Sequence, residues 1–393
     1  QKDDLQVEKL KAKETIDLQA KDTTIKEMLG KDIKLDVGNL DLESVTATNT
    51  VDIQATGNVT GSKLQTGYHL GAESIHIQSA GSINNFKTDT NRLDVDVEGN
   101  IEITNNPAKE VNVRMNAQGQ IKATLGNVIL ENMSTNRNIK LHVEDLVVAN
   151  NQPYHLTANE LTVSSNNRFG NNEYSVTMDV NTLNAQAKDL YFTNNVDKTL
   201  NSTYLLADNH LSGILGNGNF KEIKANDIYL QAKNISVDTI ESMNLDLIAE
   251  DMNINYLNSD IAHLQGTKAT IETIKAKDTT IRVDNLTVKD ILSDKLDIEG
   301  KEVLVDTIKG ENTRIKAEHL KSQKVESTNL AVNGKDIEVG TVTGTTVGID
   351  GTKATLETIK AKDTTIRVDN LTVKDILSDK LDIEGKEVLV DTI

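Results

Sequence analysis

Short runs of alternating apolar and polar residues recur along the chain. They are clearest at Ile33–Val37, Val51–Ala55, Ile75–Ile77, Leu93–Val97 and Val111–Met115. Strict alternation puts every second side chain on one face of a β-strand, so each run predicts a half-buried strand. The runs start at residues 33, 51, 75, 93 and 111, which predicts successive steps of 18, 24, 18 and 18 residues.

A glycine follows each run, and an apolar residue stands two positions after that glycine. Glycine is the residue that most readily adopts a positive φ, so we expect a tight turn between two short strands at each position. The predicted turn glycines are Gly38, Gly57, Gly81, Gly99 and Gly119.

One strand–glycine–strand unit is too small to bury its own apolar face. Stacked units bury it in continuous ladders of Ile, Val and Leu. The sequence therefore predicts an all-β fold, a parallel β-solenoid with about 17–19 residues per coil and about 22 coils. The Lys-rich segment Leu10–Lys26 has some helical propensity, but it shares the phrase KDTTI with Lys277–Ile281, so we expect strands there as well.

A long internal duplication supports this architecture. Residues 266–308 recur at 351–393 with one change, Ile271 to Leu356. The distance between the two copies corresponds to five coils that average about 17 residues each. Duplicating a whole number of coils keeps the register, whereas a slip by one residue would turn the apolar face outward.

Composition divides the chain into three regions. Residues 1–67 and 257–393 contain no aromatic residue and are regular, whereas 68–256 contains both prolines and all the aromatic residues. Asn-rich stretches at 164–172 and 208–220 predict loops that protrude from the coils. Because loops on a rigid scaffold favour binding, the central region is the candidate contact region. Its aromatic residues are Tyr68, Phe86, Tyr154, Phe169, Tyr174, Tyr191, Phe192, Tyr204, Phe220, Tyr229 and Tyr256.

Charge and composition exclude several classes of protein. The 60 acidic and 42 basic residues give a net charge of −18, which argues against nucleic acid as a partner. The absence of cysteine excludes a disulfide scaffold, an iron–sulfur protein and a thiolate zinc site. No apolar run is long enough for a membrane-spanning helix. Seven Tyr, four Phe and no Trp are few for an ordinary enzyme of this length.

No motif predicts catalysis, a cofactor or a metal. Asp94–Gly99 resembles the start of a calcium loop, but the twelfth position is Asn105 instead of glutamate. The histidines lack metal-ligand spacing, so we expect them on the solvated surface. A nucleophile elbow, a dinucleotide fingerprint and a phosphate-binding loop are all absent from the sequence. We therefore expect neither enzymatic activity nor a cofactor.

Two segments carry a resemblance to a known family. Residues 93–104 (LDVDVEGNIEIT) and 51–61 (VDIQATGNVTG) resemble coils of filamentous haemagglutinin-like exoproteins of Gram-negative bacteria. The resemblance implies a right-handed β-helix, two-partner secretion through an outer-membrane partner, and a secreted or cell-surface location. The Asn-Pro-Asn motifs of that family's secretion domain and the Val-Glu-Asn-Asn motif of its toxin-bearing members are absent from this sequence. The resemblance therefore implies the repetitive shaft.

Two functions are consistent with these observations. The first is an extracellular adhesive or structural element that contacts copies of itself and a glycan or protein on a host or bacterial surface, in adhesion, cell–cell contact or a biofilm matrix. The second is a carbohydrate-active β-helix, either a polysaccharide lyase or hydrolase or a tailspike-like protein. The chain begins with Gln1 and ends inside a repeat, so we expect it to be part of a longer protein.

Overall fold

The structure is a computed structural model that describes residues 3–62, 64, 66–148 and 153–393. In these ranges the regular structure is entirely β-strand, and strands in successive turns pair in parallel. The predicted all-β parallel solenoid is confirmed, with about 18 residues per turn and about 21 turns of the right-handed type.

Twenty-two strands are described. The first eleven are β1 (Leu5–Lys11), β2 (Thr15–Gln19), β3 (Thr23–Val37), β4 (Leu40–Ala55), β5 (Val59–Gly61), β6 (Leu70–Gly71), β7 (Ser74–Ser79), β8 (Ile83–Asp89), β9 (Arg92–Val97), β10 (Ile101–Asn105) and β11 (Glu110–Ala117). The others are β12 (Ile121–Thr124), β13 (Asn127–Thr135), β14 (Asn138–Val143), β15 (Asp145–Val148), β16 (Leu156–Ser165), β17 (Arg168–Phe169), β18 (Val176–Asn194), β19 (Thr199–Ile214), β20 (Asn217–Lys224), β21 (Asp227–Glu384) and β22 (Glu387–Thr392).

The chain forms two compact units, Gln1–Gly213 (unit 1) and Ile214–Ile393 (unit 2). Each unit consists of stacked turns around an aliphatic interior. The division by composition at residues 67 and 256 stays a prediction.

The turns of unit 1 differ in length. Val51 pairs with Ile75 and Ile75 with Leu93, as the steps of 24 and 18 predict. The next predicted step is wrong, because Leu93 pairs with Val113 and not with Val111. The extra two residues belong to the turn after β10, where Asn106 accepts hydrogen bonds from the backbone N–H groups of residues 108 and 109. An even-numbered shift leaves the same side chains facing inward.

The turns of unit 2 are regular. Asn217 pairs with Asn234, and Asn370 pairs with Glu387. Side-chain bonds between neighbouring turns have the same spacing of 17 residues, as between Asn234 and Asn217. In the turn 285–301, each of six inward positions is at most 2 % exposed: Leu286, Val288, Ile291, Ser293, Leu296 and Ile298.

The internal duplication lies in this regular unit. Its 85-residue offset equals five of these turns, so each copied residue occupies the same position in its turn as the original. The only difference between the two copies, Ile271 against Leu356, lies in the core.

The Asn-rich segments differ from the prediction. The predicted loop 208–220 is wrong, because strand β19 continues to Ile214 and β20 starts at Asn217. Alternation overrides the turn propensity of Asn and Gly there, since Leu211 and Phe220 point into the core. In the stretch 164–172, Asn166 and Asn167 form a bend after β16, β17 occupies Arg168–Phe169, and a second irregular part begins at Gly170, whose φ is +78°.

The expected surface location is wrong for two of the seven histidines. His69 and His155 are buried, whereas the other five are exposed or half-buried. His69 Nε2 donates to the carbonyl of Ser62 at 2.7 Å, and its Nδ1 accepts from the backbone N–H of Lys87 at 2.9 Å. Its ring stacks on Phe86 with 5.2 Å between centroids. Burial lowers the pKa of His69, so the neutral ring is the favoured form.

Candidate functional site

A groove of about 560 Å³ runs along unit 1 across six successive turns. We call it the polar groove and define it by three columns of side chains. The first wall contains Asp36, Gln54, Gln78, Asp96, Asn116 and Ser134. The floor contains Ala55, Ser79, Val97, Ala117 and Thr135. The second wall contains Thr56, Ala80, Glu98, Gln118 and Asn136.

The columns result from a short pattern at the end of each strand. A polar outward residue is followed by a small inward residue, a variable residue and a glycine, as in Gln54–Gly57 and Asp96–Gly99. Parallel pairing aligns the polar residues, so that Gln78 lies between Gln54 and Asp96 on neighbouring turns. The sequence contains this four-residue pattern, but the prediction from sequence identified only its glycine.

The predicted turn glycines lie beside this groove, but the expected positive φ is wrong for all five of them, Gly38, Gly57, Gly81, Gly99 and Gly119. They are needed because neighbouring turns approach closely. Cβ atoms added to Gly99 and Gly119 would each lie 2.7 Å from the carbonyl oxygen of the glycine one turn before.

A ladder of polar side chains fixes the turn immediately after the glycines. The side chains of Asn39, Asn58, Ser82 and Asn100 each accept the backbone N–H of the aligned residue one turn later, at 2.7–2.9 Å. Asp22 begins the ladder, and hydrogen bonds from the backbone and side chain of Asn39 lower its pKa. The ladder satisfies N–H groups that the sheet itself leaves unpaired.

The hydroxyl groups in the groove floor also bond to the turn backbone. Ser79 Oγ donates to the carbonyl of Gly57 at 2.6 Å, and Thr135 Oγ1 donates to the carbonyl of Gly119. These two hydroxyls are therefore engaged within the protein, and like Ala55 and Val97 they belong to buried, inward-facing residues.

Neither lysine nor arginine lines the groove in the described part of the chain. On the neighbouring outward column, the guanidinium of Arg114 lies 2.7 Å from Asp94. The hydrogen bond with Asp94 raises the pKa of Arg114. The described lining of the groove therefore contains the carboxylates of Asp96 and Glu98 and no lysine or arginine.

Three amides of the groove differ from the bonded amides Asn217 and Asn234 of unit 2. In unit 2, Asn234 Nδ2 donates to Asn217 Oδ1 at 2.7 Å, so that amides of successive turns bond to each other. In the groove, the side chains of Gln54, Gln78 and Asn116 form no hydrogen bond with any described residue. Their donors and acceptors are available to a ligand.

The predicted aromatic contact region separates into two groups. Phe86, Phe169, Phe192 and Phe220 fill the core, so they present no surface to a partner. Among the tyrosines, Tyr154, Tyr174 and Tyr229 are exposed, and Tyr68, Tyr191, Tyr204 and Tyr256 are half-buried. The prediction missed the polar groove, whose described lining contains no aromatic residue.

A second concavity of about 750 Å³ lies on unit 2 between residues 285 and 355. Its charged groups face one another. His319 lies 3.8 Å from Glu302 and 3.6 Å from Asp336, and Lys353 Nζ lies 3.8 Å from Asp336. These charged groups already pair with one another. This concavity therefore offers a ligand fewer unpaired polar side chains than the polar groove does.

Among the described residues, no group of three or more His, Cys, Asp or Glu side chains is placed so that it could hold a metal ion. The calcium-loop resemblance at Asp94–Gly99 does not form a site, because Asp94 pairs with Arg114 and Asn105 is buried against Thr88 and Thr90. Within the same residues no helix has the length and apolar character needed to cross a membrane.

Comparison with known proteins does not assign a family. No family model, curated protein or solved structure matches this chain.

Proposed function

We propose that this chain is an extracellular adhesive or structural element of a bacterial surface or secreted filament. In this role it mediates adhesion, cell–cell contact or biofilm matrix formation, with two-partner secretion as the route that the resemblance implies. The β-solenoid is compatible with such a shaft.

The observation that carries the proposal is the duplication by whole turns. The second copy lies five turns after the first, and each turn has 17 residues, so every outward side chain of the first copy recurs at the same place in a later turn. Copying turns extends a scaffold and its surface columns without disturbing register. A catalytic centre depends on side chains that occur once in a particular arrangement, and copied turns do not supply one.

Surface display tests the proposal. The whole chain is fused to an outer-membrane anchor in a non-adherent bacterium, and cell aggregation, binding to epithelial cells and biofilm mass are measured. We expect at least one of the three to increase over cells carrying the anchor alone. Normal display with no increase in any of them would overturn the proposal.

A carbohydrate-active β-helix is the second candidate function. Asp96 and Glu98 both line the polar groove, and neither forms an ion pair with a described residue. Glycoside hydrolysis uses such a pair of carboxylates. Release of new reducing ends or unsaturated products from a polysaccharide, abolished by Asp96→Asn or Glu98→Gln, would favour this candidate over an adhesive role.

A further inference from the structure

We infer that the polar groove of unit 1 binds a neutral β-linked polysaccharide lengthwise, with about one sugar residue for each turn of the solenoid. This inference rests on the proposed adhesive function and names the ligand class and the binding surface.

The first argument is the hydrogen-bonding capacity of the first wall. Gln54, Gln78 and Asn116 present amides that both donate and accept, and no described residue uses them. Sugar hydroxyls also donate and accept, so each amide can form paired hydrogen bonds with them. The bonded amides Asn217 and Asn234 of unit 2 show that surface amides on adjacent turns can instead satisfy each other.

The second argument is charge. The described lining of the groove contains carboxylates and amides but no lysine or arginine, and the whole chain has a net charge of −18. Acidic polysaccharides would be repelled by Asp96 and Glu98. A neutral chain avoids this cost, and its hydroxyls can donate hydrogen bonds to the same carboxylates.

The third argument is shape. The six aligned positions from Asp36 to Ser134 are separated by five strand spacings, or about 24 Å along the stack. One strand spacing is similar to the length of one extended β-linked hexose. Ala80 is exposed and Ala117 is half-buried, so their methyl groups can contact the C–H faces of the sugar rings.

Calorimetric titration with neutral β-linked gluco-oligosaccharides, from disaccharide to octasaccharide, tests the inference. Chito-oligosaccharides of the same lengths form a second neutral series, and heparin oligosaccharides and oligolysine are the charged probes. We expect affinity to rise with length up to about six sugar residues, which matches the number of turns, and then to level off. We expect little dependence on salt, since the ligand carries no charge.

The groove is tested by the triple variant Gln54→Ala, Gln78→Ala and Asn116→Ala. Losing several ligand hydrogen bonds should weaken binding of the hexasaccharide by about tenfold or more. Circular dichroism should remain unchanged, because these side chains are outward and form no hydrogen bond with a described residue.

A matched control removes three other amides from outward strand positions, with Asn84→Ala, Gln231→Ala and Gln265→Ala. This control should bind as tightly as the unchanged protein. Equal affinity of the groove variant and the control would overturn the inference, and so would affinity that does not depend on ligand length.

The outcomes separate this inference from the proposed function. If displayed cells adhere but no neutral oligosaccharide binds, or if only heparin or oligolysine binds, the ligand class is wrong and the adhesive function stands. If neutral oligosaccharides bind through the groove but displayed cells neither aggregate, adhere nor form biofilm, the inference stands and the adhesive function falls.

Discussion

Substitution of Gly99 distinguishes between two physical reasons for the glycine column. A Cβ added at Gly99 would lie 2.7 Å from the carbonyl oxygen of Gly81, 2.8 Å from its carbonyl carbon and 2.1 Å from Ser82 Oγ. The Gly81 atoms belong to backbone that is held by the 2.9 Å hydrogen bond from Gly99 N to Gly81 O. They cannot move away without lengthening that bond.

The cost of Gly99→Ala follows from two losses. Overpacking against backbone costs about 1–3 kcal/mol. Rotation of Ser82 Oγ away from the new methyl group breaks its 2.9 Å bond from the Asn100 N–H, which costs about 0.5–1.5 kcal/mol more. The expected destabilisation is therefore about 2–4 kcal/mol.

Two other glycines serve as controls. A Cβ at Gly71 would lie 3.8 Å from Thr46, so Gly71→Ala should be neutral or stabilising by about 0.4–1 kcal/mol. Gly67 has a φ of +93° with open space around it, so Gly67→Ala should cost about 1–2 kcal/mol through backbone strain alone.

Gly99→Asn separates close packing from backbone conformation. Asparagine tolerates positive φ better than other residues with a side chain, so a requirement for positive φ would make this change milder than Gly99→Ala. Close packing predicts that the larger side chain is at least as disruptive as alanine.

Urea denaturation followed by circular dichroism measures the total effect. Hydrogen exchange in the turns containing Gly81 and Gly99 measures the local effect, since solenoids need not unfold in one step. The reasoning is refuted if Gly99→Ala lies within about 0.5 kcal/mol of the unchanged protein, or if Gly99→Asn is the milder substitution.

Three further predictions concern burial, register and the core. Because burial lowers the pKa of His69, the stability from its neutral form is complete above the unfolded pKa of about 6.5 and is lost as pH falls below it. The urea midpoint should thus drop between about pH 8 and pH 5, and the drop should be smaller in His69→Gln; an equal drop in both proteins would contradict the assignment. Deleting 285–301, one turn of 17 residues, should preserve the fold of unit 2 by circular dichroism, whereas deleting 285–300 should disrupt it by reversing inward and outward positions; equal effects would contradict the register. Asn194 bonds both the N–H and the C=O of Val180 at 3.1 Å, so Asn194→Leu should cost about 2–4 kcal/mol in urea denaturation, and an unchanged midpoint would show that these bonds contribute little.

The sequence predicted the fold because the fold depends on local alternation. Runs such as Leu93–Val97 specify which side chains face inward, and the interval between runs gives the length of a turn. The step after Leu93 was wrong by two residues, since a tight turn at Asn106 lengthens the coil while alternation continues on both sides.

The candidate site was harder to predict, because hydrogen bonding between turns decides which outward residues are available. Gln78 and Asn234 are both amides in outward strand positions, yet Asn234 bonds to Asn217 and Gln78 bonds to no described side chain. Aromatic content pointed to a contact region, but the phenylalanines fill the core.

The sequence by itself determined the all-β class, the parallel stacking and the five-turn duplication, because period-two alternation and repeat length are properties of neighbouring residues. The tertiary structure alone decided the polar groove and the reason for the glycines beside it. Both depend on residues 18–24 positions apart that meet only when turns stack. The close approach of Gly99 to Gly81 is such a contact, and no local pattern specifies its distance.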